Sequence, residues 1–294
     1  MESKSVVIDG KTRTCGLIGN PIEHTLSPLI HNTLSKHLGQ NMVYVPFCVE
    51  KDQVERAVAG AYALKLSGLN VTVPYKSRVI DSLVAVDKLA ADIGAVNTLV
   101  QAEGGYKGYN TDMEGLYRAL LSEKIQITGE EIILLGAGGA ARAVAFLCAN
   151  KGAKKVYLLN RSLGTAQRVA EEVNKTLHTT CVEAMGLSEY EKLPDRRFLA
   201  IQGTSVGLFP DVNSAVIEDA AFYQRIHTGV GLVYKPGNTK FMKLVRANGG
   251  RAYNGLKMLL YQGIIAYELW NDLIVPEEEA QLVYEELKKK TECQ

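Results

Sequence analysis

No apolar run in this 294-residue chain reaches the roughly 20 residues that cross a bilayer, so no helical membrane span is expected. The opening stretch, MESKSVVIDGKTRT, lacks a long apolar core and does not read as a signal peptide. Neither sign of charge is in surplus: 33 Lys and Arg stand against 32 Asp and Glu, a net charge of +1. Nucleic-acid binding, which draws on a basic excess, is therefore not expected. Disorder, which needs low hydrophobicity and high net charge, is not expected either. No C-x-x-C pair occurs, and Cys15, Cys48, Cys148, Cys181 and Cys293 are scattered, which argues against a disulfide framework or a zinc ribbon and suits a reducing, cytoplasmic setting. His24, His31, His37, His178 and His227 show no ligand spacing with Cys or carboxylates; they read as polar or capping positions, and no metal is expected. Internal repeats and low-complexity stretches are absent too. What remains is a soluble composition, 47% apolar and 22% charged, over a length that suits two domains.

Within that composition, apolar runs of strand length alternate with amphipathic helical stretches. Strands are expected at 14–19, 42–50 and 68–74, with helices from Pro28, capped by Ser27, and over 52–66. VNTLVQAE and YKGYNT, joined at Gly104-Gly105, read as a hairpin, followed by a helix over 113–124. A cleaner series follows: strands at 132–136, 155–160, 198–204 and 229–234, with helices over 139–149 and 163–177. Such short continuous apolar runs suit a parallel sheet covered on both faces, and the alternation implies an α/β fold with right-handed crossovers. The end of the chain is helical in pattern, over 256–270 and 277–290.

The sharpest motif is IILLGAGGAARAVAF, which sets Gly136, Gly138 and Ala141 in a G-x-G-x-x-A pattern between an apolar strand and an apolar helix. Gly136 permits the tight turn, Gly138 lets backbone approach a pyrophosphate, and Ala141 lets the helix pack closely. The helix start then offers unpaired N–H groups to phosphate. The next strand ends in Asn160-Arg161-Ser162 and lacks the carboxylate that receives an NAD ribose. Arg161 suits a 2′-phosphate instead, so NADP is the expected cofactor. Otherwise Asn160 and Ser162 are turn residues and Arg161 is solvated.

Polar residues in the first half gather where apolar runs end: Thr25 and Ser27; Asn70, Thr72 and Lys76; Asn97; Asn110, Thr111 and Asp112. Singly, Ser27 and Asp112 read as helix caps and Lys76 as a solvated cation. Together they suit a ligand bearing several hydroxyls. A carbonyl reduced by hydride must also gain a proton, which a Lys ammonium oriented by an Asp can donate.

GNPIEHTLSPLIHN, GLNVTVPYKSRV, GAVNTLV, GYNTDMEG, LLGAGGAARAV, LNRS and NGLKMLLYQ occur in an order that resembles the shikimate dehydrogenase family, from near Cys15 to the C-terminal helices. The resemblance implies a substrate domain, residues 1–118 plus 256–294, and a Rossmann-like NADP domain, residues 119–255, separated by a cleft. It implies reversible reduction of 3-dehydroshikimate to shikimate with NADPH, on the route to chorismate and aromatic amino acids, by a monomer or homodimer. Lys76 would be the acid/base and Asp112 its partner. Thr25 and Ser27 would hold the substrate carboxylate, and Thr72, Asn97 and Gln262 the ring hydroxyls. Gly136, Gly138, Gly139 and Ala140 would lie along the pyrophosphate, and Asn160, Arg161 and Ser162 near the 2′-phosphate. Thr204, Tyr234, Gly255 and Met258 would fall in segments lining the nicotinamide end.

This chain departs from the family pattern at three places. Thr25-Leu26-Ser27 replaces Ser-x-Ser, Gly231 replaces an Asp, and Gln202-Gly203-Thr204 replaces Asn-Ala-Thr. The Thr25 methyl keeps a quinate/shikimate dehydrogenase in view as the alternative. A non-catalytic NADP-binding regulator is the reading from a different class, and retention of both Lys76 and Asp112 argues against it.

Overall fold

The computed structural model describes residues 8–292; Cys293 and the first seven residues of the N-terminal segment lie outside them. The chain divides into two compact units, one running to Arg118 and resuming at Lys257, the other spanning Ala119–Leu256. Both are α/β. No helix among the described residues is long and apolar enough to cross a membrane.

The first unit contains β1 (Arg13–Gly19), α1 (Ser27–His37), β2 (Met42–Cys48), α2 (Val54–Ala63), β3 (Gly68–Val71), β4 (Ala85–Val86), α3 (Lys88–Ile93), β5 (Thr98–Ala102), β6 (Gly105–Tyr109) and most of α4 (Thr111–Ser122). Its sheet has the order β2-β1-β3-β5-β6-β4. It is mixed rather than purely parallel. β1 runs parallel to β2 and β3, whereas the hairpin turns β5 antiparallel to both β3 and β6. Gly104, at φ +79°, makes that turn possible. Val54, Val58, Leu69, Val71, Val79, Leu99 and Tyr106 form the core under α2.

The register fixes where the loops emerge. Ile18 pairs with Val71, Asn70 with Thr98, and Thr98 with Tyr109. The segments after β1, after β3, before β5 and after β6 therefore leave the sheet at one end of its strands, and the polar clusters of the first half lie on them, with Asn70 in the last residues of β3.

The second unit contains β7 (Glu131–Leu135), α5 (Gly139–Asn150), β8 (Lys155–Asn160), α6 (Leu163–Thr176), β9 (Val182–Gly186), β10 (Phe198–Gln202), α7 (Ala220–Gln224), β11 (Ile226–Gly231), α8 (Lys240–Ala247) and β12 (Arg251–Tyr253). Its sheet is parallel throughout, in the order β12-β11-β10-β7-β8-β9. The chain starts in the middle at β7, winds outward through β8 and β9, then returns to β10 on the other side. That reversal opens a crevice at the carboxyl end of β7, where α/β sheets of this kind bind ligands.

The chain then returns to the first unit in α9 (Leu256–Asn271) and α10 (Glu277–Glu292). The Trp270 indole donates to Leu99 O at 2.9 Å and fills the space over Gly68, where a Cβ would stand 2.0 Å from the ring nitrogen. Arg118 grips Glu268 through two bonds of 3.0 Å, tying α4 to α9. Thr33 on α1 donates to Glu286 on α10 at 3.0 Å.

Candidate active site

Lys76 and Asp112 meet. Lys76 Nζ donates to Asp112 Oδ2 at 2.5 Å, with side chains 30% and 20% exposed, so the pair is open to a ligand but partly shielded from water. Both ends are held by backbone. Beside Lys76, the buried Tyr75 anchors its hydroxyl on Val49 O at 2.6 Å, and Lys76 O accepts from Val96 N at 2.7 Å. Asp112 does not cap α4, contrary to its reading as a single residue. It lies inside the first turn, and Asn110 Oδ1 accepts from Met113 N at 3.4 Å instead. The carboxylate is thereby free for Lys76, at a helix start that favours negative charge.

Ser27 is likewise not the cap of α1. Leu26 occupies that position and Ser27 is already helical. Thr25 Oγ1 accepts from Ser27 N and donates to Ser27 Oγ, both at 3.2 Å, so the two hydroxyls stand side by side. Thr72 leaves β3 with its N bonded to Ile18 O at 3.0 Å, and its methyl occupies the space beside Gly19, where a Cβ would stand 2.3 Å away. Asn97 is buried, its Oδ1 accepting from Thr111 N at 2.8 Å and its Nδ2 donating to Thr111 Oγ1 at 3.1 Å. Gln262 lies where α9 crosses α4: a Cβ on Gly115 would stand 2.6 Å from Gln262 N, one turn along from Asp112. Its amide donates to Leu259 O of its own helix at 2.8 Å. Met258 stands in the first turn of α9, within this same unit.

His31 corrects the expectation of a polar or capping histidine. It is fully buried, stacks on Tyr44 with ring centroids 4.2 Å apart, and neither ring nitrogen has a hydrogen-bond partner among the described residues. Burial pushes its pKa down to about 3, so the ring is neutral. As pH falls below the ordinary histidine value of 6.5, the unfolded chain takes up a proton that the folded chain refuses until about 3. Stability is expected to fall through that window with a slope approaching about 1.4 kcal/mol per pH unit from this group alone. Urea midpoints at neutral and acidic pH for the wild type and His31→Phe measure it; equal acid sensitivity in the two would remove His31 from the account.

In the second unit, Gly136 sits at φ +104°, and a Cβ there would stand 2.5 Å from Thr204 Cγ2. No side chain but hydrogen fits. Gly138 caps α5 and Gly139 and Ala140 begin it, leaving the first N–H groups without a side-chain acceptor. A Cβ on Gly138 or Gly139 would meet nothing within 4 Å, so backbone lines open space there, as a pyrophosphate cradle requires. Ala141 packs against Gly203, where a Cβ would stand 2.8 Å from the alanine methyl, so glycine is the residue this loop accepts. Asn160 Nδ2 donates to Ser162 O at 2.9 Å and closes the turn after β8, and Thr165 donates to Ser162 Oγ at 3.1 Å. Arg161 is exposed and makes no ion pair with another described residue.

Tyr234 lies half-buried beyond β11, and burial raises its pKa. Gly255 closes on the same segment: its N donates to Val233 O at 2.8 Å, and a Cβ would stand 2.1 Å from Leu232 O. Two of the departures prove to be neighbours, since Gln202 and Gly231 pair in register across β10 and β11. The Gln202 amide donates to Val206 O at 2.8 Å, and Gly231 has room for a side chain, its Cβ position lying 3.9 Å from Tyr253 O.

Asn70, Tyr44, Thr98 and Thr111 join the polar residues of the first unit in a buried hydrogen-bond network. Asn70 and Thr111 were visible in the polar clusters. Tyr44 was not, because a Tyr inside MVYVPFC reads as an ordinary strand former.

A parallel sheet with a glycine cradle at its switch point, and a Lys–Asp pair among hydroxyls and amides, define a two-unit nucleotide-dependent oxidoreductase. Residues 17–99 match the shikimate dehydrogenase substrate binding domain and residues 119–196 the shikimate / quinate 5-dehydrogenase domain. The shikimate dehydrogenase (NADP(+)) of Desulforamulus reducens is 39% identical, covering 92% of this chain and 93% of its own. The shikimate 5-dehydrogenase of Listeria monocytogenes, solved with shikimate and NAD, superposes with a TM-score of 0.86 at 31% identity, over 94% of this chain and 97% of its own. The Thermus thermophilus enzyme, solved with NADP(H) and shikimate, gives 0.81 at 30% identity, over 94% and 100%. The chain belongs to the shikimate dehydrogenase family.

Proposed function

We propose that this chain is an NADP-dependent shikimate dehydrogenase that reversibly reduces 3-dehydroshikimate to shikimate, a step toward chorismate and the aromatic amino acids. The observation that carries the reading is the Lys76–Asp112 pair, 2.5 Å apart, at the end of the strands where Thr25, Ser27, Thr72 and Asn97 emerge. NADPH, when bound, supplies the hydride. Lys76 hydrogen-bonds the oxygen that gains charge as the carbonyl is reduced, and gives it a proton. Asp112 aims the ammonium and accepts from a neighbouring substrate hydroxyl. Thr25 and Ser27 hold the carboxylate; Thr72, Asn97 and Gln262 hold ring hydroxyls.

Gly136, Gly138, Gly139 and Ala140 fit a pyrophosphate, with N–H groups and no side chain in the way. Asn160, Arg161 and Ser162 fit a 2′-phosphate, Arg161 supplying the charge. Thr204, Tyr234 and Gly255 fall in segments assigned to the nicotinamide end. The enzyme acts as a monomer or homodimer on a small molecule. A cytoplasmic location is supported by the unpaired Cys15, Cys48, Cys148 and Cys181.

The test is kcat/KM for shikimate and quinate, each with NADP and NAD. Shikimate with NADP is expected to be the best pair by at least about tenfold, a difference of about 1.4 kcal/mol. A preference for quinate with NAD would make the chain a quinate dehydrogenase.

A further inference from the structure

Buried polar side chains are costly unless each finds a partner, and a closed network of them fixes geometry. One such network runs beneath the candidate substrate site. Tyr44 donates to Asn70 Oδ1 at 2.8 Å. Asn70 Nδ2 donates to Thr98 Oγ1 at 3.0 Å and to Asn97 O at 3.1 Å, which uses both of its hydrogens. Thr98 Oγ1 donates to Asn97 Oδ1 at 3.1 Å, and Asn97 Oδ1 accepts from Thr111 N at 2.8 Å. All five residues are buried. The next residue in the chain is Asp112.

Tyr44 is the joint of this chain, and it is fixed on every side. Its backbone N donates to Asn32 Oδ1 at 2.8 Å and its carbonyl accepts from Asn32 Nδ2 at 3.1 Å, so an α1 side chain occupies the outer edge of β2 at that point. Its ring lies on His31 and 5.9 Å from Trp270. The hydroxyl is therefore aimed, with no rotamer freedom left to lose when substrate arrives. Packing alone would be served by Phe; the hydroxyl is needed only to hold Asn70.

We infer that Tyr44 is a positioning residue for substrate, setting the placement of Asn97 and of the start of α4, next to Asp112, through Asn70, Thr98 and Thr111. The inference rests on the proposed function. Tyr44 touches neither substrate nor cofactor; it acts by holding Asn70, and through it Asn97 and the amide that starts α4. Loss of the hydroxyl loosens substrate binding and leaves NADPH binding, whose glycine cradle and Arg161 belong to the second unit, untouched.

The test is Tyr44→Phe, with Thr98→Val as a second cut in the same chain should the first variant fold poorly. Each is expected to raise KM for 3-dehydroshikimate about tenfold, the effect of one lost buried hydrogen bond. KM for NADPH should stay within about twofold and kcat within about threefold of wild type. The double variant should be little worse than either single, because one chain is cut twice. An unchanged substrate KM, a parallel rise in both KM values with a fall in Tm, or fully additive effects would overturn the inference. Wild-type turnover, measured first, separates the two claims: its absence overturns the proposed function and this inference together, whereas turnover with unaltered variants overturns this inference alone.

Discussion

Lys76→Ala is expected to lower kcat for 3-dehydroshikimate reduction by about 10³-fold, within the range that a positioned proton donor supplies. The ammonium is the cation bonded to Asp112, at 2.5 Å, at the end of the strands that gathers the substrate-side hydroxyls. With alanine there, the oxygen of the reduced carbonyl has water alone as its acid. Folding should survive, because Lys76 contributes its backbone carbonyl to Val96 N and that bond does not depend on the side chain. NADPH affinity should survive too, since the glycine cradle and Arg161 are in the other unit. Asp112→Asn should be the milder change, because it leaves the ammonium present but poorly aimed. Steady-state kinetics with NADPH titration by fluorescence checks each point. A Lys76→Ala enzyme with near-normal kcat would remove Lys76 from the chemistry.

The second large effect is on cofactor choice. Asn160 and Ser162 offer the proposed 2′-phosphate site neutral groups that also serve the turn and Thr165, so Arg161 is the charged group proposed to meet the phosphate. Charge-assisted hydrogen bonds contribute about 1.5–3 kcal/mol each, and a carboxylate in that place repels phosphate while accepting from a ribose. Arg161→Asp is therefore expected to reduce the NADP-to-NAD ratio of kcat/KM by about 100-fold or more, chiefly through KM for NADP. An unchanged ratio would mean that the 2′-phosphate is held elsewhere.

The second unit was the more legible half, for a physical reason. Its central strands are buried on both faces and read as unbroken apolar runs, as in IILL and FLAI. β4, β9 and β12, which have no legible apolar run, all lie at sheet edges, where segments are short and half-exposed. β11 begins three residues before the apolar run that signals it, because its first residues include His227 and Thr228 while the apolar stretch runs on past Gly231 into a loop. The strand read as 68–74 stops at Val71, where the chain turns to deliver Thr72 and Lys76.

At the candidate site, residue types and motif order pointed to Lys76 and Asp112, but local propensity misassigned Asp112 and Ser27 as caps. Asn110 Oδ1 accepts from Met113 N and Thr25 Oγ1 from Ser27 N, which leaves the Asp112 carboxylate to Lys76 and sets the Ser27 hydroxyl beside that of Thr25. Tyr44 and His31 could not be read at all, since their partners come from distant segments and depend on the β1–β2 and β1–β3 register.

The central claim is that this chain passes hydride between NADPH and a cyclic hydroxy acid, with Lys76 as the proton donor. The most direct measurement mixes the purified chain with NADPH and 3-dehydroshikimate and follows the nicotinamide absorbance. The account predicts loss of NADPH in step with formation of shikimate, and the reverse reaction with shikimate and NADP, both nearly abolished in Lys76→Ala. A folded protein that binds NADPH yet changes the absorbance in neither direction would contradict it.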